Sequence, residues 1–345
     1  MTDRRLNLEE IGRMAGVSRS TVSRVVNGAE NVSDEARARV ESVIAATGYR
    51  PHAAARSLAS NRTGVVGLVI PSAVESLFAD PYFGRLIYGI STATYQLGKT
   101  LSLFIFKEES EEDAIYSRVV GPGLVDGVIV TATRMGDSLI QNLTDAEMPF
   151  VVVGRPDAGR PAFSVDADNR GGARTAAEHL ASLGYREVGM ITAPSNTTAG
   201  IDRRAGFLDG ASDVGLSIDN RIVEGDWSER SGREAMAQLL SSSRPEAVFV
   251  ASDRMATGAL RAIREAGLVC PDDIALVSFD GLVPPDHTVP SLTSVAQPVA
   301  EVGTEAANML DAVITGELDT PESVVLPTRL LVRESCGAAL RKPAT

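Results

Sequence analysis

A chain of 345 residues with 44% hydrophobic content is too long for one ordinary core and too apolar for a disordered one, which points to a small module and a larger body that is itself divisible. Its formal net charge of −12 argues against nucleic acid as a partner, because Lys and Arg neutralising phosphates supply most non-specific affinity. The charge is uneven, however: residues 1–62 hold ten Arg against seven Asp and Glu, a net of +3, which leaves −15 for the rest. The two cysteines, Cys270 and Cys336, are far apart in sequence and suggest neither a disulfide framework nor a paired-cysteine metal site. Met1 to Glu10 carries no apolar core of a signal peptide, and no run approaches membrane-spanning length, so a cytoplasmic protein is expected.

The first 48 residues read as three short helices. Asn7 is placed to cap a helix in which Glu10 reaches back as a capping box, with Leu8, Ile11 and Ala15 on one apolar face and Gly16 as its stop. Ser18 caps a second helix to about Asn27, with Val22, Val25 and Val26 inward and Arg19, Ser20, Ser23 and Arg24 outward. Ser33 caps a third, with Asp34 and Glu35 in its first turn, Val40, Val43 and Ile44 as core, and Gly48 at its end. Pro51 to Ser60 has helix propensity but only Leu58 as a large apolar side chain, so it is expected to fold only against a partner.

From Thr63 the texture becomes strand-then-helix. Buried-looking runs occur at Val65 to Ile70, Leu101 to Phe106, Gly127 to Thr131, Phe150 to Val153, Val188 to Ile191, Ala247 to Ala251 and Ile274 to Phe279. Amphipathic helical stretches lie between most of them, and a break near Ser164 to Asn169 suggests two sheets. The expected fold is an all-α helix-turn-helix head followed by an α/β body of two doubly wound parallel-sheet lobes.

Gly16-Val17-Ser18 is the tight turn that lets one helix cross the DNA backbone while the next enters the major groove by its N-terminus. Ser18 lies at that N-terminus. Arg19 and Arg24 carry guanidinium forks suited to guanine O6 and N7, and the Ser20 hydroxyl suits several bases. Thr21, Ser23 and Asn27 are better placed for phosphates, which fix register without reading sequence.

Leu6 to Ser60 resembles the head and hinge of the LacI/GalR family of bacterial transcription regulators at nearly every position. The likeness continues in DPYFGRL from Asp80, DNRGGARTAAEHL from Asp168, RRAGF from Arg203, ASDRMATGALRAI from Ala251, VSFDG from Val277 and PTRLLVRES from Pro327. It implies a homodimer on double-stranded DNA, each head on one half-site of a pseudo-palindromic operator. The implied domains are a helix-turn-helix head (1–50), a hinge helix (51–62) and a bilobed body (63–340). Within the body, 63–165 with 297–326 form one lobe, and 166–296 with 327–340 form the other. Ala55, Leu58 and Ala59 fall on hinge positions that meet the minor groove, Leu58 as the wedge that kinks a base step and Ala59 where the family often carries lysine.

The body resembles periplasmic sugar-binding proteins, which hold ligand between the lobes. Ligands also favour the carboxyl ends of parallel strands, where Ser252, Asp253 and Asp280 stand. By resemblance, Arg203 and Asp280 bind ligand hydroxyls, Trp227 stacks on a ring, and Ser72, Tyr82 and Phe83 face them from the other lobe. Ser252 stands where the family often has Asn. The implied effector is a sugar or sugar derivative that controls operator affinity, with no cofactor or metal, and the regulator is expected to repress. No leucine heptads follow Ser335, so a dimer rather than a tetramer is expected.

Two other readings are weaker. An enzyme on a doubly wound fold would need a phosphate loop, yet Gly121-Pro122-Gly123 lacks the third glycine and precedes a strand, and the three histidines, His52, His179 and His287, offer no evident general base. An extracytoplasmic solute-binding protein would lack the DNA head.

Overall fold

The computed structural model describes residues 6–26, 31–49, 62–70, 74–105, 119, 123–131, 134–136, 138–157 and 161–340. The chain divides into a head unit, Met1–Gly64 with Pro122–Asp126, and a second unit comprising the rest.

The head has the expected three helices, α1 (Leu8–Ala15), α2 (Arg19–Val26) and α3 (Asp34–Thr47). The Asn7 side chain accepts hydrogen bonds from the Glu9 and Glu10 amides while Glu10 accepts from the Asn7 amide, so each group satisfies a donor that helix geometry leaves open. Gly16 ends α1 at φ +65°, a conformation that favours glycine. Ile11, Ala15, Val22, Val25, Val40 and Tyr49 make the small core, with Val26, Val43 and Ile44 half-buried against it.

In the second unit the chain builds a first lobe from β1 (Val65–Ile70), α4 (Val74–Ala79), α5 (Pro81–Gln96), β2 (Thr100–Ile105), β3 (Gly127–Thr131), α6 (Ser138–Asp145), β4 (Phe150–Val153) and β5 (Ser164–Ala167). A second lobe follows: α7 (Asn169–Ser182), β6 (Val188–Thr192), α8 (Thr198–Asp213), β7 (Ile222–Glu224), α9 (Glu229–Ser242), β8 (Ala247–Val250), α10 (Asp253–Glu265), β9 (Ala275–Asp280) and β10 (Thr293–Ala296). The chain then returns through α11 (Val299–Thr315) and β11 (Ser323–Leu326) to the first lobe and ends in β12 (Arg329–Leu331) of the second.

The sheet orders are β11-β5-β4-β3-β1-β2 and β12-β10-β9-β8-β6-β7. Every pairing is parallel except β10 with β12 at an edge. Helices cover both faces of such sheets, which is why β3 and β8 are buried at every position. Three crossovers join the lobes, near residues 168, 297 and 327. The first comes two residues later than the sequence suggested, because β5 runs through Ala167 in the first sheet.

Helix pairs within the lobes touch backbone to backbone. A Cβ on Gly89 of α5 would stand 1.9 Å from the Ala300 carbonyl oxygen of α11, and one on Gly258 of α10 would meet the Glu229 carbonyl oxygen of α9 at the same distance. Gly89→Ala is therefore expected to push α5 from α11 and cost about 1–3 kcal/mol, lowering the melting temperature by about 2–4 °C per kcal/mol in thermal denaturation. An unchanged melting temperature would show that the two helices have slack.

Candidate functional site

Two surfaces carry the residues singled out by sequence. On the head, Arg19, Ser20 and Arg24 of α2 are exposed, Thr21 and Ser23 are half-buried, and Val22 and Val25 point into the core. The Ser18 hydroxyl accepts the Thr21 amide and lies 2.7 Å from the Ser20 hydroxyl and 2.9 Å from that of Thr21, so these hydroxyls form one cluster at the N-terminus of α2. Asn27, Ala55, Leu58, Ala59 and Ser72 lie outside the described residues.

The second surface is a cavity of about 380 Å³ between the two lobes. At its floor Arg203, from α8, is only 3% exposed. It donates to Asn169 at 2.8 Å, to the Ala251 carbonyl at 2.6 Å and to Asp280 at 2.8 Å, and its guanidinium carbon sits 3.9 Å above the Phe279 ring centre. Trp227 lies 5.4 Å from the same guanidinium. The backbones of Trp227 (φ +72°) and Asp280 (φ +109°) are in a region that side chains rarely adopt, a strain that tends to gather where function over-determines geometry. Gln297, from the second crossover, also donates to Asp280, at 2.8 Å.

Of the residues expected at a ligand, Tyr82, Phe83, Arg203, Trp227 and Asp280 line this cavity. Ser252 and Asp253 do not. Ser252 caps α10 by accepting the Met255 amide, and Asp253 turns inward, where Ser278 and Ser294 donate to one oxygen and the Leu282 and Val283 amides to the other. Their position at a strand end was read correctly, but helix start and buried network take up their polar atoms. The sequence reading missed Asp80, Arg134, Asp166, Asn169, Asp226, Arg254 and Gln297 in the lining. Asp166 and Asn169 stand at the end of a parallel strand like the others, and a reading of SVDA as β5 would have found them.

Burial pushes the Asp280 carboxyl up to about 7, with Arg203 pulling the other way. Burial likewise raises Asp166 to about 6, opposed by the Ala167 amide and by Arg203, and raises Asp80 against the Tyr82 amide and Arg254. Asp226 goes the opposite way: burial raises it, yet hydrogen bonds from Ser228 and Ser231 bring it below the ordinary carboxylate value. The mouth is bridged between lobes by Arg155, which grips both oxygens of Asp202 at 2.8 and 3.0 Å, and by the Met135 amide on the Asn196 carbonyl at 2.8 Å. The site thus offers an aromatic plate, carboxylates from both lobes and a fixed guanidinium, which suits a ligand rich in hydroxyls. Among the described residues no group of His, Cys, Asp and Glu is arranged to hold a metal, and no helix is long and apolar enough to cross a membrane.

Comparison with known proteins finds matches to both the head and the body. The signature described as "Bacterial regulatory proteins, lacI family" matches residues 7–52, and "Periplasmic binding protein-like domain" matches residues 177–336. The chain is 38% identical to the "HTH-type transcriptional regulator CelR" of Thermobifida fusca, over 96% of this chain and 98% of that one. Among solved structures it is similar to a "transcriptional regulator CelR-cellobiose complex", at a TM-score of 0.77 and 36% identity, covering 96% of this chain and all of the other. It is also similar to the lac repressor dimer bound to operator and an anti-inducer, at a TM-score of 0.84 and 27% identity, with 96% and 99% covered. These relatives are regulators and not enzymes. The chain belongs to the lacI family of bacterial transcription regulators, with a helix-turn-helix DNA-binding head and a two-lobed α/β body.

Proposed function

We propose that this regulator is a cytoplasmic homodimeric repressor whose operator affinity is set by a neutral saccharide of about two rings in the cleft. The observation that carries the reading is the cavity lining: Trp227 as a platform beside Arg203 and Asp280, with Asp80 and Asp166 opposite. Hydroxyls are donors that carboxylates accept, and an aromatic face covers the apolar face of a pyranose. Four lining aspartates, Asp80, Asp166, Asp226 and Asp280, outnumber three lining arginines, Arg134, Arg203 and Arg254, and Arg203 is already engaged by Asp280, so the lining favours a neutral sugar over a phosphorylated or acidic one. Likeness to a regulator in complex with cellobiose supports the two-ring size.

The dimer reading is supported by the operator-bound dimer of the lac repressor and by apolar side chains left in the open on α5 and β2. Tyr88 is 64% exposed, Tyr95 83% and Leu103 42%, and a second copy would remove them from water. Arg19, Ser20 and Arg24 then read base edges, Ser18, Thr21, Ser23 and Asn27 anchor to the backbone, and Ala55, Leu58 and Ala59 face the minor groove.

Calorimetric titration with cellobiose tests the ligand. Saturable binding is expected, together with at least a tenfold change in operator affinity; silence with every neutral disaccharide would sink the reading. Trp227→Ala should weaken cellobiose at least tenfold and leave sugar-free operator binding intact, as read by gel shift.

The affinity should also depend on pH. Asp280 and Asp166 carry raised pKa values of about 7 and about 6 when the cleft is free, so both are largely protonated at low pH. Sugar hydroxyls stabilise the charged form, so binding expels protons and affinity rises with pH. The slope is at most about tenfold per pH unit per group and levels off above pH of about 7.5. Titrations in buffers of different ionisation enthalpy measure the released protons. In the hinge, Leu58→Ala should lower operator affinity by an order of magnitude without altering the cellobiose isotherm, and unchanged affinity would remove the wedge.

A further inference from the structure

Both oxygens of Asp126 are occupied by the residues that lead into β1. The Thr63 amide and hydroxyl donate to Oδ1, the hydroxyl at 2.8 Å, and the Gly64 amide donates to Oδ2 at 2.8 Å. Two successive amides point at one carboxylate because Gly64 has φ +70°, a conformation glycine adopts freely, so the chain forms a small anion-holding nest. Asp126 directly precedes β3, and β3 is the parallel neighbour of β1, with Val66 opposite Gly127. The carboxylate therefore ties together the starts of two adjacent strands.

That tie has little slack. A Cβ on Gly127 would lie 2.9 Å from the Pro149 carbonyl oxygen and 3.0 Å from Leu310, so the beginning of β3 is packed against the body. All five residues of β3 are buried, and at about 3.3 Å per residue they span about 17 Å. Three residues beyond its end stands Arg134, in the cavity lining, and β1 leads on to Asp80, Tyr82 and Phe83 in the same lining. One end of this strand pair meets the effector cleft and the other meets the residue through which the chain passes from the DNA-binding head.

We propose that Asp126 is a positioning residue for DNA binding: it fixes the direction in which the chain leaves β1 toward the head and makes that direction follow the cleft-lining strands. Asp126 touches neither DNA nor effector. It acts by lowering the conformational freedom that operator binding must otherwise remove, and by coupling that ordering to the strands that end at the cleft.

The test uses the full chain and an inverted-repeat duplex enriched by the wild-type protein from random sequence. Asp126→Ala should weaken sugar-free operator binding at least tenfold, while the slope of log affinity against log salt stays that of wild type because the phosphate contacts of the head are unchanged. Thr63→Val, which keeps both amides and loses only the hydroxyl, should give a smaller loss in the same direction. Operator affinity within twofold of wild type in Asp126→Ala would overturn the proposal. If Asp126→Ala does not fold, affinity within experimental error of wild type in Thr63→Val would overturn it instead. A second readout rests on the saccharide reading: the cellobiose-induced change in operator affinity should shrink at least fivefold in Asp126→Ala. A wild-type chain that ignores cellobiose refutes the sugar, and the sugar-free measurement still decides the role of Asp126.

Discussion

A guanidinium removed from water must find its partners in place, and Arg203 finds them at three places in the fold at once. It holds Asn169 at the start of α7, the carbonyl of Ala251 after β8, and Asp280 at the end of β9, while lying on Phe279. Asp280 holds Gln297 in turn, on the crossover to the other lobe. Removing the arginine would leave a buried carboxylate without its cation, the costly kind of loss, so the cleft floor and the fold of the second lobe share one interaction. The strained backbone at Asp280 persists because Arg203 and Gln297 hold its side chain and Asp253 pins the amides that follow.

The head was almost wholly legible in sequence. Its helices begin and end at residues with one dominant local reason to be there: Asn7 and Ser33 as caps, Gly16 and Gly48 in left-handed conformation. The central strands were equally plain, because strands buried on both faces must be continuous apolar runs. The short ones were not: SVDA, IVE and TSVA alternate or carry polar groups, and three or four residues give no period to read. Missing β5 hid Asp166 and Asn169, two polar members of the cavity lining. Ser252 and Asp253 misled in the other direction. A strand end places a residue near the cleft, but whether its side chain turns to ligand or to a network such as Ser278 and Ser294 depends on partners distant in sequence.

Charge divides labour along the chain. A body of net −15 does not hold DNA by itself, so attraction is confined to the +3 head, where Arg19 and Arg24 are exposed. The same acidity lines the cleft, where Asp80, Asp166, Asp226 and Asp280 stand around the cavity.

The backbone-to-backbone helix contacts at Gly89 and Gly258 bear on how such a regulator diversifies. Where no side chain separates two helices, those positions tolerate almost no drift, and each lobe is locked as a framework. The cavity wall is built differently, from side chains projecting off strand ends and loops, where exchange alters chemistry without moving the framework. A lineage can therefore rewrite the chemistry of the cavity by swapping a handful of wall residues, while the scaffold around it is inherited untouched.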